Sequence, residues 1–382
     1  MILQYGILKY ILMYIVFVLY KRFDMDYVYR FPVVKGNQAN HEYYIAMVPL
    51  KMISRLFPDD EEYVSAEYRA QRKLNEARVP VISKYILDNR ESYVFSALAA
   101  SIDGSFQFVP MSEGNDLGTL EVSMDARFLI NDGQHRKAAI LNALKEDQSL
   151  GDETISIVFY EDLGLERSQQ IFTDLNKNAI KTSNSISELY DSRDRIAVIT
   201  RRVIQNVEFL NLYTDKEKDI LGKYSSKLFT LNTFYIANKT IIGRFGVDDS
   251  TEKFIEQFWQ CIAENMVLWN ELEAKYITKV DLRENYIATQ GIVIRALGRI
   301  GNYLYTHQDY NMQDVMRGIR DINWSRNASI WRLRAISSNG RVITNNKAAI
   351  LIGNVIKTKL GLPLSQAETN AEQEYLDTIN KN

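Results

Sequence analysis

Apolar and polar residues alternate from Tyr27 to Val48 around Gly36, which predicts two short strands with a turn at Lys35-Gly36-Asn37. Ser65 to Asn89 changes to helical spacing, broken once at Pro80. Tyr93 to Ala100 reads as a buried strand, and Ile102-Asp103-Gly104-Ser105-Phe106 as an Asp-Gly hairpin whose two strands pair. Beyond it the period switches regularly: a strand at Arg127 to Ile130, a helix at Lys137 to Asp147, a strand at Thr154 to Tyr160 and a helix at Leu165 to Asn176. That order predicts an α/β (α+β) domain. After about Asn184 strand signals thin out. Helix-patterned runs at Asp194 to Asn211, Thr230 to Ile241, Glu252 to Tyr276 and Gln290 to Thr306 predict a mainly helical C-terminal domain. No internal repeat or low-complexity tract is visible, and the end containing Glu372-Gln373-Glu374 and Asn380-Lys381-Asn382 is expected to fray. The expected divisions are 1–24, 25–190 and 191–382.

The first of these is an apolar leader. Met1 to Tyr20 carries Gln4 and Lys9 as its polar interruptions, precedes Lys21 and Arg22, and is long enough to span a bilayer. Against a membrane anchor stand the interior Lys9, the many tyrosines and a second methionine, Met25, directly before globular-type sequence. The expectation is therefore that translation starts at Met25, with an anchor as the alternative. No small-x-small cleavage pattern follows the run, which disfavours secretion.

Composition adds limits. At 382 residues, 46% apolar and 25% charged, the chain is long and apolar enough for two folded domains. A net charge of −2 gives no global pull toward nucleic acid, so any such contact must come from a local patch. The single cysteine, Cys261, sits in an apolar run, so an internal disulfide and a Cys-based zinc or iron–sulfur site are excluded. With its three histidines scattered at His41, His135 and His307, a multi-histidine metal centre is disfavoured, and a cytoplasmic location fits best.

The candidate chemistry starts at Phe128 to Leu141, where an apolar run ends in Asp132-Gly133-Gln134-His135-Arg136-Lys137 and passes into a helix. A strand-turn-helix junction collects uncommitted backbone N–H groups and the positive end of a helix dipole, so the segment outlines a phosphate site. A β-turn with a solvated basic cluster is the competing reading. Gln170 to Ala179 adds Asp174, Asn176, Lys177 and Asn178 at a predicted helix end, able to hydrogen-bond a nucleotide or, through Asp174, coordinate Mg²⁺. Helix C-capping explains that segment equally well. Both clusters fall in one α/β domain, where open sheets place ligands at the carboxyl ends of strands.

For DNA contact there are clusters and no named motif. Arg195, Arg201 and Arg202 share one predicted helix, and Arg295 and Arg299 are four apart on another. Arg326, Arg332, Arg334 and Arg341 surround Trp324 and Trp331, a mix suited to phosphate contacts, with a solvated or ion-paired surface as the alternative for each.

Asp132-Gly133-Gln134-His135-Arg136 is the signature of the DGQHR domain, a branch of the ParB and sulfiredoxin-like superfamily. Together with Glu42-Tyr43-Tyr44, Ala70-Gln71-Arg72, Tyr93 to Ala97, Ile130 to Ala138, Phe172 to Asn176 and Ser226 to Leu231, it resembles the DndB family of bacterial DNA phosphorothioation clusters, over about Met25 to Glu374. The resemblance implies a ParB/sulfiredoxin-like N-terminal domain and a DNA-binding transcriptional repressor of its own cluster. Such a regulator does not itself insert sulfur. Its implied partners are double-stranded operator DNA, other phosphorothioation proteins and further copies of the chain. The superfamily relation implies a nucleoside triphosphate, ATP or CTP with Mg²⁺, with Gly133 and Arg136 at its phosphates and His135 as hydrogen-bond donor or proton carrier. The expected nucleotide set is Asp132, Gly133, Gln134, His135, Arg136 and Asn176. Gln134 stands where sulfiredoxins have cysteine, which puts sulfinic-acid repair out of reach. An ATPase that powers or gates a modification complex is the chief alternative, with Asp132, His135 and Asp174 as catalytic candidates, and a ParB-like nuclease is a third.

Overall fold

A computed structural model describes residues 27–58, 74–177 and 182–380 of this α+β protein. The apolar leader, residues 59–73 (which include residues 65–73 of the first expected helix), Asn178, Ala179 and the final Lys381-Asn382 lie outside the described residues. The chain divides into two compact units, Met1–Ile180 and Lys181–Asn382.

The first unit is built on a seven-stranded sheet of order β4-β5-β1-β2-β7-β3-β6. Its strands are β1 (Val28–Gln38), β2 (His41–Pro49), β3 (Leu98–Asp103), β4 (Phe106–Pro110), β5 (Leu117–Ser123), β6 (Arg127–Asp132) and β7 (Thr154–Glu161). Every pairing is antiparallel except β3 with β7. Alternation sends Phe31, Val33, Tyr44, Ala46, Val48, Ile157 and Phe159 into one core with Phe128 and Ile130. Its α-helices among the described residues are α1 (Ile53–Leu56), α2 (Val79–Asp88), α3 (Gln134–Glu146) and α4 (Leu165–Lys177). Helix α3 buries Ala139, Ile140 and Ala143, the i, i+1, i+4 face that its spacing dictates.

Four sequence expectations change here. The first turn lies at Ala39-Asn40, both with left-handed φ (53° and 64°), as a two-residue hairpin of type I′ requires. Gly36 is inside β1, opposite Tyr43. The Asp-Gly pair closes no hairpin, because β3 pairs with β6 and β7 while β4 pairs with β5. A type I′ turn needs positive φ at both central residues, and only Gly104 has it, at 142°. The chain therefore runs on: Asp103 faces Arg127 on one side of the bend and Phe106 faces Val122 on the other. Tyr93 to Ala97 is not strand; side chains hold it, with Val94 N–H donating to the Tyr85 hydroxyl at 3.0 Å. Pro80 sits in the first turn of α2, where its missing N–H is harmless, so it opens the helix.

The second unit contains α5 (Asn184–Tyr190), α6 (Arg195–Asn206), α7 (Glu208–Tyr213), the short parallel pair β8 (Thr214–Asp215) and β9 (Phe229–Thr230), α8 (Leu231–Ile242), α9 (Asp249–Asn265), α10 (Val267–Glu273), α11 (Lys279–Asn285), α12 (Gly291–Thr306), α13 (Met312–Met316), α14 (Asn346–Lys359) and α15 (Gln366–Asn380). Helices α8 and α12 pack closely because Gly298 lacks a side chain: a Cβ there would lie 2.8 Å from the Ala237 carbonyl oxygen. Trp259, Trp269, Phe234 and Phe258 fill the core around them. The described C-terminus does not fray. Tyr375 of α15 is buried, its hydroxyl donates to the Arg332 carbonyl at 2.9 Å, and Glu374 pairs with Lys347 at 2.9 Å.

Candidate functional site

Strand β6 delivers Asp132 to the sheet edge, and Gly133 turns the chain into α3. Gly133 holds φ at 102°, a region where a Cβ strains the backbone, and a Cβ would also lie 2.4 Å from Leu98 Cδ2. As the N-cap of α3, Gly133 offers no side-chain acceptor, and the first turn contains no acid. Among the described residues, the positive end of this thirteen-residue helix has no side-chain cap. It opens on a cavity of about 410 Å³, lined by Asn131 to Arg136 together with Arg78, Val81, Ile82, Tyr85, Phe95 and Phe172.

The side chains are arranged less freely than their types imply. Arg136 bonds Asp132 at 2.7 Å through Nη2, while Nη1 donates to the Ser96 carbonyl (2.7 Å), the Ser96 hydroxyl and the Ala97 carbonyl (2.9 Å). Its guanidinium therefore fastens the segment before β3 to the motif. Asn75 N–H donates to His135 Nε2 at 3.0 Å, so the lone pair lies there and the assigned tautomer carries its proton on Nδ1. Behind the pocket, fully buried Asn131 donates to Ser101 Oγ at 3.0 Å. Asp174 is exposed on α4 and accepts from Gln170 at 2.7 Å. Asn176 lies in α4, but its side chain is outside the described residues. Among the described residues no group of three or more His, Cys, Asp or Glu could hold a metal ion. The structure thus brings Asp132 to Arg136 together around one cavity. Sequence reasoning missed Arg78, Ser96 and Asn131. Asn131 left a signal, a polar residue in the otherwise apolar Phe128 to Asn131 run; Ser96 and Arg78 left none.

The arginines of the second unit separate into two groups. Arg195, Arg202, Arg332 and Arg341 are exposed. Arg202 pairs with Glu252 at 3.0 Å, Arg201 donates to the carbonyls of Glu188 and Asp191, and Arg326 is half-buried, where burial lowers its pKa. Arg334 is buried, paired with Glu372 and lying 3.8 Å over the Tyr375 ring. Trp324 and Trp331 are buried as well and stack at 5.5 Å, so they belong to the core and not to an aromatic contact surface.

Comparison with known families settles the relationship. Residues 31–363 match DndB, described as DNA-sulfur modification-associated. The chain belongs to the DndB family. No curated protein and no solved structure matches it. DndB membership associates the protein with DNA sulfur modification, and the match takes in the Asp132–Arg136 pocket while ending just before α15. No helix among the described residues is long and apolar enough to cross a membrane.

Proposed function

We propose that the protein regulates a DNA phosphorothioation gene cluster by binding double-stranded operator DNA, and that the pocket at Asp132 to Arg136 takes the phosphates of a nucleotide, ATP or CTP. The observation that carries the pocket reading is the N-terminus of α3, capped by no side chain among the described residues, opening on a cavity of about 410 Å³. Backbone N–H groups and the helix dipole favour an anion there without help from a side chain. Arg136, held by Asp132 and by the segment before β3, acts as the frame of the pocket, and the helix terminus is the phosphate contact. Asp132 and Asp174 are both engaged with neighbours, which supports binding over turnover. Cys261 is buried, and burial pushes its thiol pKa up, the reverse of an activated sulfur nucleophile. That supports a regulatory role over sulfur transfer.

Calorimetric titration with ATP and CTP in the presence of Mg²⁺ tests the reading, using wild type and Gln134→Glu. The new carboxylate would sit in the first turn of α3, where it favours the helix dipole but repels a phosphate. Nucleotide affinity should fall at least about tenfold with the fold intact. Absence of heat with both nucleotides on wild type returns Asp132 to Arg136 to a structural turn.

A further inference from the structure

The second unit holds its own polar cavity, of about 480 Å³, walled by parts of α8, α12, α14 and α15 and by the Pro363-Leu364-Ser365 connection. At its base Glu368 accepts from Arg299 Nη2 at 3.0 Å and from Lys357 Nζ at 2.7 Å. Lys357 and Glu368 are 4% and 5% exposed. Glu368 Oε2 also accepts from the Ser365 N–H at 2.9 Å, so both carboxylate oxygens are engaged.

The cations are not matched in the same way. The lining contains Arg299 and Lys357 against one carboxylate, leaving an excess of positive charge. Among the described residues the buried Nε of Arg299 has no acceptor. The Lys357 ammonium, beyond its bond to Glu368, faces the Tyr303 ring at 4.5 Å. A buried ion cluster gives little net stability compared with apolar packing, so one with surplus positive charge at the base of an open cavity calls for an explanation beyond holding helices together. An anion rich in oxygen acceptors, meeting the Arg299 side chain where it is 30% exposed, supplies the missing charge. On one wall Tyr303 and His307 stack with centroids 4.1 Å apart, presenting flat rings beside the cations.

We propose that this cavity is a second anion site, binding a small phosphate-bearing ligand with Arg299 and Lys357 as its charged contacts and the Tyr303–His307 stack as the wall for an attached ring. The inference does not rest on the pocket at α3. Its test is carried out on the full chain in the Gln134→Glu background, so that a phosphate held by α3 is not mistaken for one held here.

Inorganic phosphate and adenosine 5′-monophosphate are titrated in parallel by calorimetry, with circular dichroism to confirm folding. Arg299→Gln should weaken both ligands by about tenfold or more, and the milder Arg299→Lys, which keeps the charge and loses the fork, by a smaller factor. Glu368→Gln should act in the opposite direction and tighten both, because it removes the carboxylate that competes for the same donors. Monophosphate binding tighter than phosphate, with the difference lost in His307→Ala, identifies a ring-bearing ligand; equal affinities with no effect of His307→Ala identify the free anion. Absence of heat with both ligands overturns the proposal, as do unchanged affinities in Arg299→Lys and Glu368→Gln, which would leave the triad as a structural clasp of α12, α14 and α15.

Discussion

The cavity at the start of α3 and the cavity at Arg299 both set positive charge beside open space, but they are built from different materials. In the first, the positive charge belongs to the backbone: five consecutive residues end a strand, turn through a left-handed glycine and begin a helix, while Arg136 is used to hold the frame. In the second the positive charge belongs to side chains, Arg299 from α12 and Lys357 from α14, and is only partly offset by Glu368 from α15. A site made of backbone is sensitive to shape and tolerant of charge. One made of buried side chains is sensitive to charge, because each ion has left water and depends on its partner.

That contrast can be broken by mutation, and the largest effect should come from Glu368→Ala. It leaves Lys357 and Arg299 without their shared counterion and should lower the unfolding free energy by about 3–5 kcal/mol. Urea denaturation measures it, and a loss below about 1 kcal/mol would mean that water already reaches the cations. Gly133→Ala should come next. It places a Cβ in a left-handed conformation and against Leu98, at a cost of about 1–3 kcal/mol, with no change in charge. An effect no larger than that of a surface substitution would remove the argument that shape builds the first site.

A third test sharpens the role of burial by setting buried Glu368 against a half-buried carboxylate of the same unit, Glu188. Bonds from Lys357, Ser365 and Arg299 outweigh desolvation and pull Glu368 down to about 2. Its contribution to stability is therefore present above the unfolded pKa, about 4.3, and is lost as pH falls toward 2. Glu188 is pushed up to about 7, by burial first and then by Asp219 and Asp194, and its buried Oε2 has no hydrogen-bond partner among the described residues. Ionising it is harder in the folded protein, so stability should decline as pH rises from about 4.3 to about 7. Glu188→Gln should flatten that decline in thermal midpoints measured across the interval. An unchanged slope would show that Glu188 is hydrated in solution.

How much of this was legible follows from the same distinction. Asp132 to Arg136 could be read from sequence because glycine at a strand-to-helix junction has a local meaning. The strand at Thr154 and the helix at Leu165 were legible for the same reason, each being a single uninterrupted period. The Asp-Gly bend misled because the dipeptide states that the chain changes direction without stating which strand it will meet; that is decided by β6 and β7 from further along the chain. Arg299, Lys357 and Glu368 had no local signature, since each stands in an ordinary helical pattern and their meeting depends on how three helices pack. Trp324 and Trp331 looked like surface aromatics because Arg neighbours surround them in sequence, yet the irregular backbone there turns both rings inward.

The smallest effect tests the split among the arginines. Arg334, buried on Tyr375 and paired with Glu372, is held as firmly as Arg136, whereas Arg332 and Arg341 are exposed. If DNA lies on that surface, phosphate contacts come from the exposed pair, and each contact releases counterions. Arg332→Ala/Arg341→Ala should then reduce the slope of log affinity against log salt by about two units on duplex DNA. Arg334→Ala should lower the thermal midpoint and leave that slope unchanged. Gel-shift titrations over several salt concentrations separate the two. A full slope in the double variant would move the DNA surface elsewhere, and Arg195, exposed at the start of α6, is then the next residue to substitute.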